Sequence, residues 1–301
     1  MKRRKFVSLV GLGSLFPFTL SGQDKSNTYI TKPIPSSGQP IPVIGMGTSR
    51  TFNVGTSTRL REVRCQVLAR FFEMGGQLID SSPMYGSSEA VVGYCLKQLG
   101  QPRFISATKV WNDDTQDGKE QFQEALKLWG QNHIDIYQIH NLRNWKEHLA
   151  VLRQYKAEGK IKYIGITTSH RRRLSDFQEI MKTETLDFAQ FTYNLDERWN
   201  ESETLAIAQD RGIATMINRP FERGSLFRRV RGKRLPDFAA EIACTNWAQY
   251  FLKWVVSHQA VTCAIPATSK VEHMTENMGA LVGKLPDQEM RKEMLKYFLS
   301  L

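Results

Sequence analysis

The chain has 301 residues, 41% of them hydrophobic and 10% aromatic, which suffices for one large core and suits a single-domain α/β barrel. Its net charge is +11, and +7 of that surplus (37 basic against 30 acidic residues) lies beyond residue 22. Such a surplus favours anionic ligands such as phosphates, but the densest basic runs, 171–173 and RRVRGKR at 228–234, have no interleaved aromatic groove or nucleic-acid signature. They read as solvated faces, so no nucleic-acid partner is expected.

Residues 1–22 read MKRRKFVSLVGLGSLFPFTLSG. A basic start followed by an uncharged run is the pattern of a secretory signal, and its Gly, Ser and Pro interruptions argue against a permanent membrane span. Arg3-Arg4-Lys5-Phe6-Val7 resembles the twin-arginine export signature, although Lys2 stands where Ser or Thr is usual. The resemblance implies recognition by the twin-arginine export machinery and a periplasmic or otherwise exported location. The alternative is an uncleaved tail on a cytoplasmic protein. Residues 23–28 form a polar linker, and 29–301 are expected to be one domain.

A hairpin is predicted at 29–34 and 40–43, turning at Ser36-Ser37-Gly38-Gln39. Eight short apolar runs follow, at 43–46, 78–80, 104–108, 134–139, 163–167, 188–193, 214–218 and 261–265. Helical patterns separate them, at 58–74, 88–99, 119–129, 145–158, 175–181, 201–210, 245–257 and 271–279, with a terminal helix from 287. Eight alternations of buried strand and amphipathic helix predict a (β/α)8 TIM barrel with an N-terminal β-hairpin. The four cysteines form no CxxC. Cys65, in a helical pattern, and Cys263, in a strand run, read as small buried thiols, and an even number permits two disulfides in an oxidising compartment.

Four polar residues sit at or just past the ends of apolar runs: Asp80, Tyr85, Lys109 and His140. Singly, each reads blandly as a cap, a packing ring, a rim charge or a satisfied core histidine. Together they would converge on the C-terminal face of a barrel, where such folds carry their chemistry. A phenol titrates near ~10, and a buried ammonium beside it favours the phenolate and lowers that value. The set is that of a proton-transfer site. The histidines show no HxH or HExxH spacing, and no metal is expected.

Eight ordered motifs then identify a resemblance to the aldo-keto reductase superfamily: GMGTSR at 45–50, Asp80-Ser81 running into SPMYGSSE at 82–89, ATKVW at 107–111, IDIYQIHN at 134–141, GKIKYIGITT at 159–168, QFTYNL at 190–195, INRPFERGSL at 217–226 and IPATSKVEHMTEN at 265–277. The resemblance implies an NAD(P)H-dependent carbonyl reductase. Tyr85 would be the general acid, tuned by Lys109 and Asp80, and His140 would orient the carbonyl. It implies cofactor contacts from Thr48, Thr168, Gln190, Asn218, Arg219, Pro220, Gly224, Thr268, Ser269, Lys270, His273, Glu276 and Asn277. Several depart from the common pattern: Thr168 replaces Asn, Asn218 stands where an aromatic ring often stacks, and Arg219 replaces Ser. Ala267 lacks a frequent lysine and His273 replaces an arginine. NADP(H) is favoured over NAD(H). Trp111 is expected in the substrate pocket, and the short polar stretch 112–118 with a closing terminal helix predicts an open site for small or medium aldehydes and ketones. The alternative is a weakly catalytic or non-catalytic nicotinamide-binding module of the kind seen in potassium-channel beta subunits.

Overall fold

Residues 29–301 are described by a computed structural model; the predicted signal segment, 1–22, and the linker lie outside the described residues. The predicted hairpin is present as β1 (Thr31–Pro33) and β2 (Pro40–Pro42), paired antiparallel. It sits beneath a parallel sheet of eight strands. These are β3 (Met46–Gly47), β4 (Leu78–Asp80), β5 (Ile105–Val110), β6 (Ile134–His140), β7 (Ile161–Thr167), β8 (Phe188–Thr192), β9 (Ala214–Asn218) and β10 (Cys263–Ala264). The strands neighbour one another in sequence order, and parallel bonds from Gly45 to the Ala264 carbonyl and from Gly47 to the Pro266 carbonyl close β3 onto β10. The result is the predicted barrel.

The two end strands are shorter than the apolar runs that announced them. Along that seam Val43, Ile44 and Gly45 bond to Ala264 by a single bridge and loop-like contacts instead of a long ladder. Inside the barrel, Ile34 and Ile41 of the hairpin join Leu78, Ile105, Ile136 and Phe188 in one apolar cluster, so the hairpin is the floor. A larger apolar layer fills the space between strands and helices.

The helices are α1 (Thr58–Glu73), α2 (Ser88–Gln98), α3 (Thr115–Trp129), α4 (Trp145–Ala157), α5 (Leu174–Thr183), α6 (Thr204–Asp210), α7 (Ser225–Arg229), α8 (Trp247–Val256), α9 (Val271–Met278) and α10 (Gln288–Leu299). Caps set several of their starts: Ser57, Asp114, Asn246 and Asp287 accept backbone N–H groups of the first turn. Asp114 moves the start of α3 four residues ahead of the predicted 119, and the helix runs through Gly118. A Cβ there would lie 2.7 Å from the His148 ring, so this glycine is a close-packing position between α3 and α4 and not a breaker. Conversely, α6 starts later than the predicted 201, because the Asn200 side chain bonds both the Thr192 carbonyl and the Thr204 hydroxyl and holds a turn first.

Cys65 and Cys95 are not thiols. They form a disulfide between α1 and α2, with their Cα atoms 4.7 Å apart. Cys244 and Cys263 are free and buried.

Candidate active site at the barrel mouth

Strand register builds a polar layer at the top of the barrel. Lys109 faces Gln138 across β5 and β6, and Gln190 faces Met216 across β8 and β9. The Lys109 side chain is fully buried, and its ammonium spends its three protons on the two Asp80 carboxylate oxygens, each at 2.7 Å, and on the Ser81 carbonyl at 2.6 Å. Burial pulls the Lys109 pKa down, but the Asp80 charge, the Tyr85 phenol and the hydrogen bonds to Asp80 outweigh it, and the pKa ends above the ordinary lysine value. Asp80 also accepts from Gln190 at 2.9 Å and from Gln138 at 3.2 Å. The pair is thus both neutralised and hydrogen-bonded, as a buried ion pair requires.

Tyr85 ends a 3-10 turn, Pro83–Tyr85, that follows β4. Its ring centroid is 5.3 Å from the Lys109 ammonium and 5.7 Å from the His140 ring, which it meets edge-on at 90°. Lys109 acts on the phenol chiefly through its charge and also through a side-chain hydrogen bond. That influence does not lower the phenol pKa overall, as the sequence led us to expect. Burial raises it, the Lys109 charge opposes this, and the Asp80 charge adds to the rise, leaving Tyr85 above its ordinary value and protonated at neutral pH. His140 closes β6 and is nearly buried; burial, with the Lys109 charge adding, depresses it to about 3, so the imidazole is neutral. Its Nδ1 lies 2.8 Å from the Ser82 hydroxyl.

The other predicted residues fall into a group around this centre and a group apart from it. Thr48 is buried beneath it and donates to the Asp80 carbonyl and the Ser81 hydroxyl. Gln190 is held inside, accepting from Thr167 at 3.1 Å while it donates to Asp80. Thr168 is buried and donates to the His170 carbonyl at 3.1 Å. Asn218 accepts from Thr192 at 2.7 Å and donates to the Thr168 carbonyl at 3.1 Å. Arg219, at φ 49°, donates to the Ser169 hydroxyl at 3.0 Å and has no carboxylate within 4.0 Å among the described residues. Pro220 is buried beside it and Gly224 turns the chain at φ 89° into α7. Thr268, Ser269, Lys270, His273, Glu276 and Asn277 lie on a separate sector, after β10 and along α9. There Lys270 and His273 are exposed, Asn277 is buried, and none of the six bonds to the central four. Trp111 is exposed at the rim, with the Arg143 guanidinium 5.1 Å from its ring centroid.

Three residues were not singled out from the sequence. Ser82 couples Tyr85 to His140. Glu89 is buried behind β5, where it accepts from the Thr108 hydroxyl at 2.5 Å, and burial raises its carboxyl to about 7 against the opposing Thr108 bond and Lys109 charge. Its spacing of three and seven from Val92 and Leu96 on α2 marked the buried face. Arg64 reaches from α1 to the Ser269 carbonyl at 3.3 Å.

The mouth suits a dinucleotide. Asn141 Oδ1, next to His140, is a buried acceptor with no donor among the described residues, and a carboxamide N–H matches it. Arg219 and Arg64, neither in an ion pair among the described residues, match phosphate.

Comparison with known proteins agrees. A methylglyoxal reductase of Escherichia coli, YeaE, is 26% identical over 256 residues, covering 83% of this chain and 89% of that protein. The NADH-specific methylglyoxal reductase of the same organism is 29% identical over 290 residues, covering 76% and 86%. Among solved structures, the holo form of aldo-keto reductase AKR11C1 from Bacillus halodurans superposes with a TM-score of 0.72 at 20% identity, covering 90% of this chain and 96% of that one. An aldo/keto reductase from Klebsiella pneumoniae in complex with NADP and acetate gives 0.71 at 23%, covering 87% and 93%. Residues 43–293 match the Aldo/keto reductase family itself, and to that family the chain belongs.

Proposed function

We propose that the chain is an NAD(P)H-dependent carbonyl reductase that converts small aldehydes and ketones to alcohols. The observation that carries this is the convergence of a neutral phenol, a neutral imidazole and a buried Lys109–Asp80 pair at one mouth. A bound nicotinamide supplies the hydride to the carbonyl carbon. Tyr85 hands its proton to the carbonyl oxygen, so carbon and oxygen each gain one hydrogen equivalent and the phenolate is later reprotonated from water. The Lys109 charge stabilises that phenolate as it forms, because it already opposes the burial that keeps the phenol neutral. The neutral His140 offers an N–H to the carbonyl oxygen without competing for the proton.

Two relatives named as methylglyoxal reductases support small dicarbonyl or aldehyde substrates. NADP(H) is proposed over NAD(H) because Lys270 and Arg64 flank Ser269 in the sector expected to hold the adenosine phosphate. Neighbouring structures carry NADP or NADPH, while one relative is named NADH-specific, so parallel titrations with both nucleotides are the direct check.

We extend the proposal to location. The twin-arginine-type segment and the Cys65–Cys95 disulfide both support an exported, oxidising setting, the barrel folding with its nucleotide before translocation.

Tyr85→Phe is expected to lower carbonyl reduction by about 100- to 10,000-fold while nucleotide binding, read by fluorescence titration, stays intact. If wild type and variant bind nucleotide yet are equally inert across aldehydes and ketones, the chain is a nicotinamide-binding module instead.

A further inference from the structure

Ser82 has three bonds to make and makes them in one direction each. Its carbonyl accepts from the Tyr85 N–H at 2.9 Å, and its hydroxyl oxygen accepts from the Met84 N–H at 3.2 Å. The same hydroxyl lies 2.8 Å from His140 Nδ1, in a fully buried position. One residue therefore holds both the turn that presents the phenol and the ring that faces it.

The direction of the Ser82–His140 bond follows from counting protons. A neutral imidazole carries one N–H. If that proton were on Nδ1, it would be donated to the Ser82 oxygen, which also receives the Met84 N–H. The hydroxyl proton would then have no acceptor among the described residues, on a Ser82 side chain with no solvent exposure. If Nδ1 is bare, it accepts the hydroxyl proton and every group is satisfied. The ring proton is then on Nε2, which bonds to no described residue.

We propose that Ser82 is a positioning residue that fixes His140 as the Nε2–H tautomer, so that the neutral ring presents a donor to the carbonyl oxygen. This rests on the reductase reading. With the other tautomer, a lone pair would face the carbonyl oxygen and repel it. Nothing in Ser82 touches the substrate; its effect passes through the ring.

The test begins with the full chain as it is. In 15N-histidine NMR spectra, with the His140 signals assigned by their loss in His140→Asn, wild type should show a protonated Nε2 and a bare Nδ1 across neutral pH. A proton on Nδ1 would overturn the proposal, whatever the variants do. Ser82→Ala should give a mixed tautomer signal and about a tenfold fall in kcat, with the nucleotide Kd unchanged. Ser82→Thr, which keeps the hydroxyl, should restore both signal and kcat. A Ser82→Ala protein with the wild-type signal and kcat would also overturn it. An Nε2–H signal in a chain that reduces no carbonyl would support the tautomer assignment and remove the reductase reading, so the two failures are distinguishable.

Discussion

At position 89 a carboxyl is enclosed behind the barrel wall with one hydroxyl donor, and its pKa rises from the ordinary 4.5 to about 7. Below about pH 4.5 the folded and unfolded chains both hold this proton, and Glu89 does not affect stability. As pH rises, the unfolded chain ionises first while the folded one retains its proton. Stability therefore falls with pH and levels off above about 7, a loss of roughly 3 kcal/mol. Glu89→Gln, which can still accept from Thr108, is expected to be more stable than wild type by that order at pH 8 and equal to it at pH 4. Urea unfolding at both pH values reads the difference, and equal gains at the two would refute the burial argument. The residues of the central four were legible because each lies at or just past the end of an apolar run. Ser82 and Glu89 were not, because their partners are far in sequence: His140 lies 58 residues from Ser82, and Thr108 lies 19 from Glu89. The net effect on Tyr85 was read with the wrong sign because the sequence shows a neighbouring lysine but not how deeply the phenol is enclosed.

The pair of helices α1 and α2 brackets the loop that carries Tyr85, and the Cys65–Cys95 bond ties them across a separation of 30 residues. Closing a loop of that size stabilises the fold by about 3–4 kcal/mol in the chain-entropy picture. The double variant Cys65→Ser, Cys95→Ser is expected to lose stability of that order in denaturant titration, whereas adding a reductant to it should change nothing further. Alkylation of the unfolded, unreduced wild-type chain should label two thiols, Cys244 and Cys263, and not four. No spacing rule chose this pair: both cysteines face inward only once α1 has packed on α2. Element existence was readable because the alternation of runs is strong. Element ends were less so, since they depend on caps such as Asp114 and on side-chain turns such as that at Asn200.

For the whole molecule, the barrel and its N-terminal hairpin followed from the order of runs, while the candidate cofactor residues followed from matches to, and departures from, a family pattern. The structure places Arg219 just past β9, and Ser269, whose carbonyl accepts from Arg64 of α1, in the stretch after β10. Location is a property of the whole chain. If the export proposal holds, cell fractionation of the native host should recover the barrel outside the cytoplasm without residues 1–22. Full-length protein confined to the cytoplasm would sink it. Within the described residues, no helix is long and apolar enough to cross a membrane.

The hairpin floor has a consequence for handling. Ile30 bonds to Leu281, and the Tyr29 ring packs against Gly75 at the foot of α1, so the described chain enters at the face opposite the mouth. An anchor or affinity tag fused upstream of Tyr29 grips the barrel from below. Immobilised that way, the protein turns the strand-end face that carries Tyr85 and His140 toward the bulk solution.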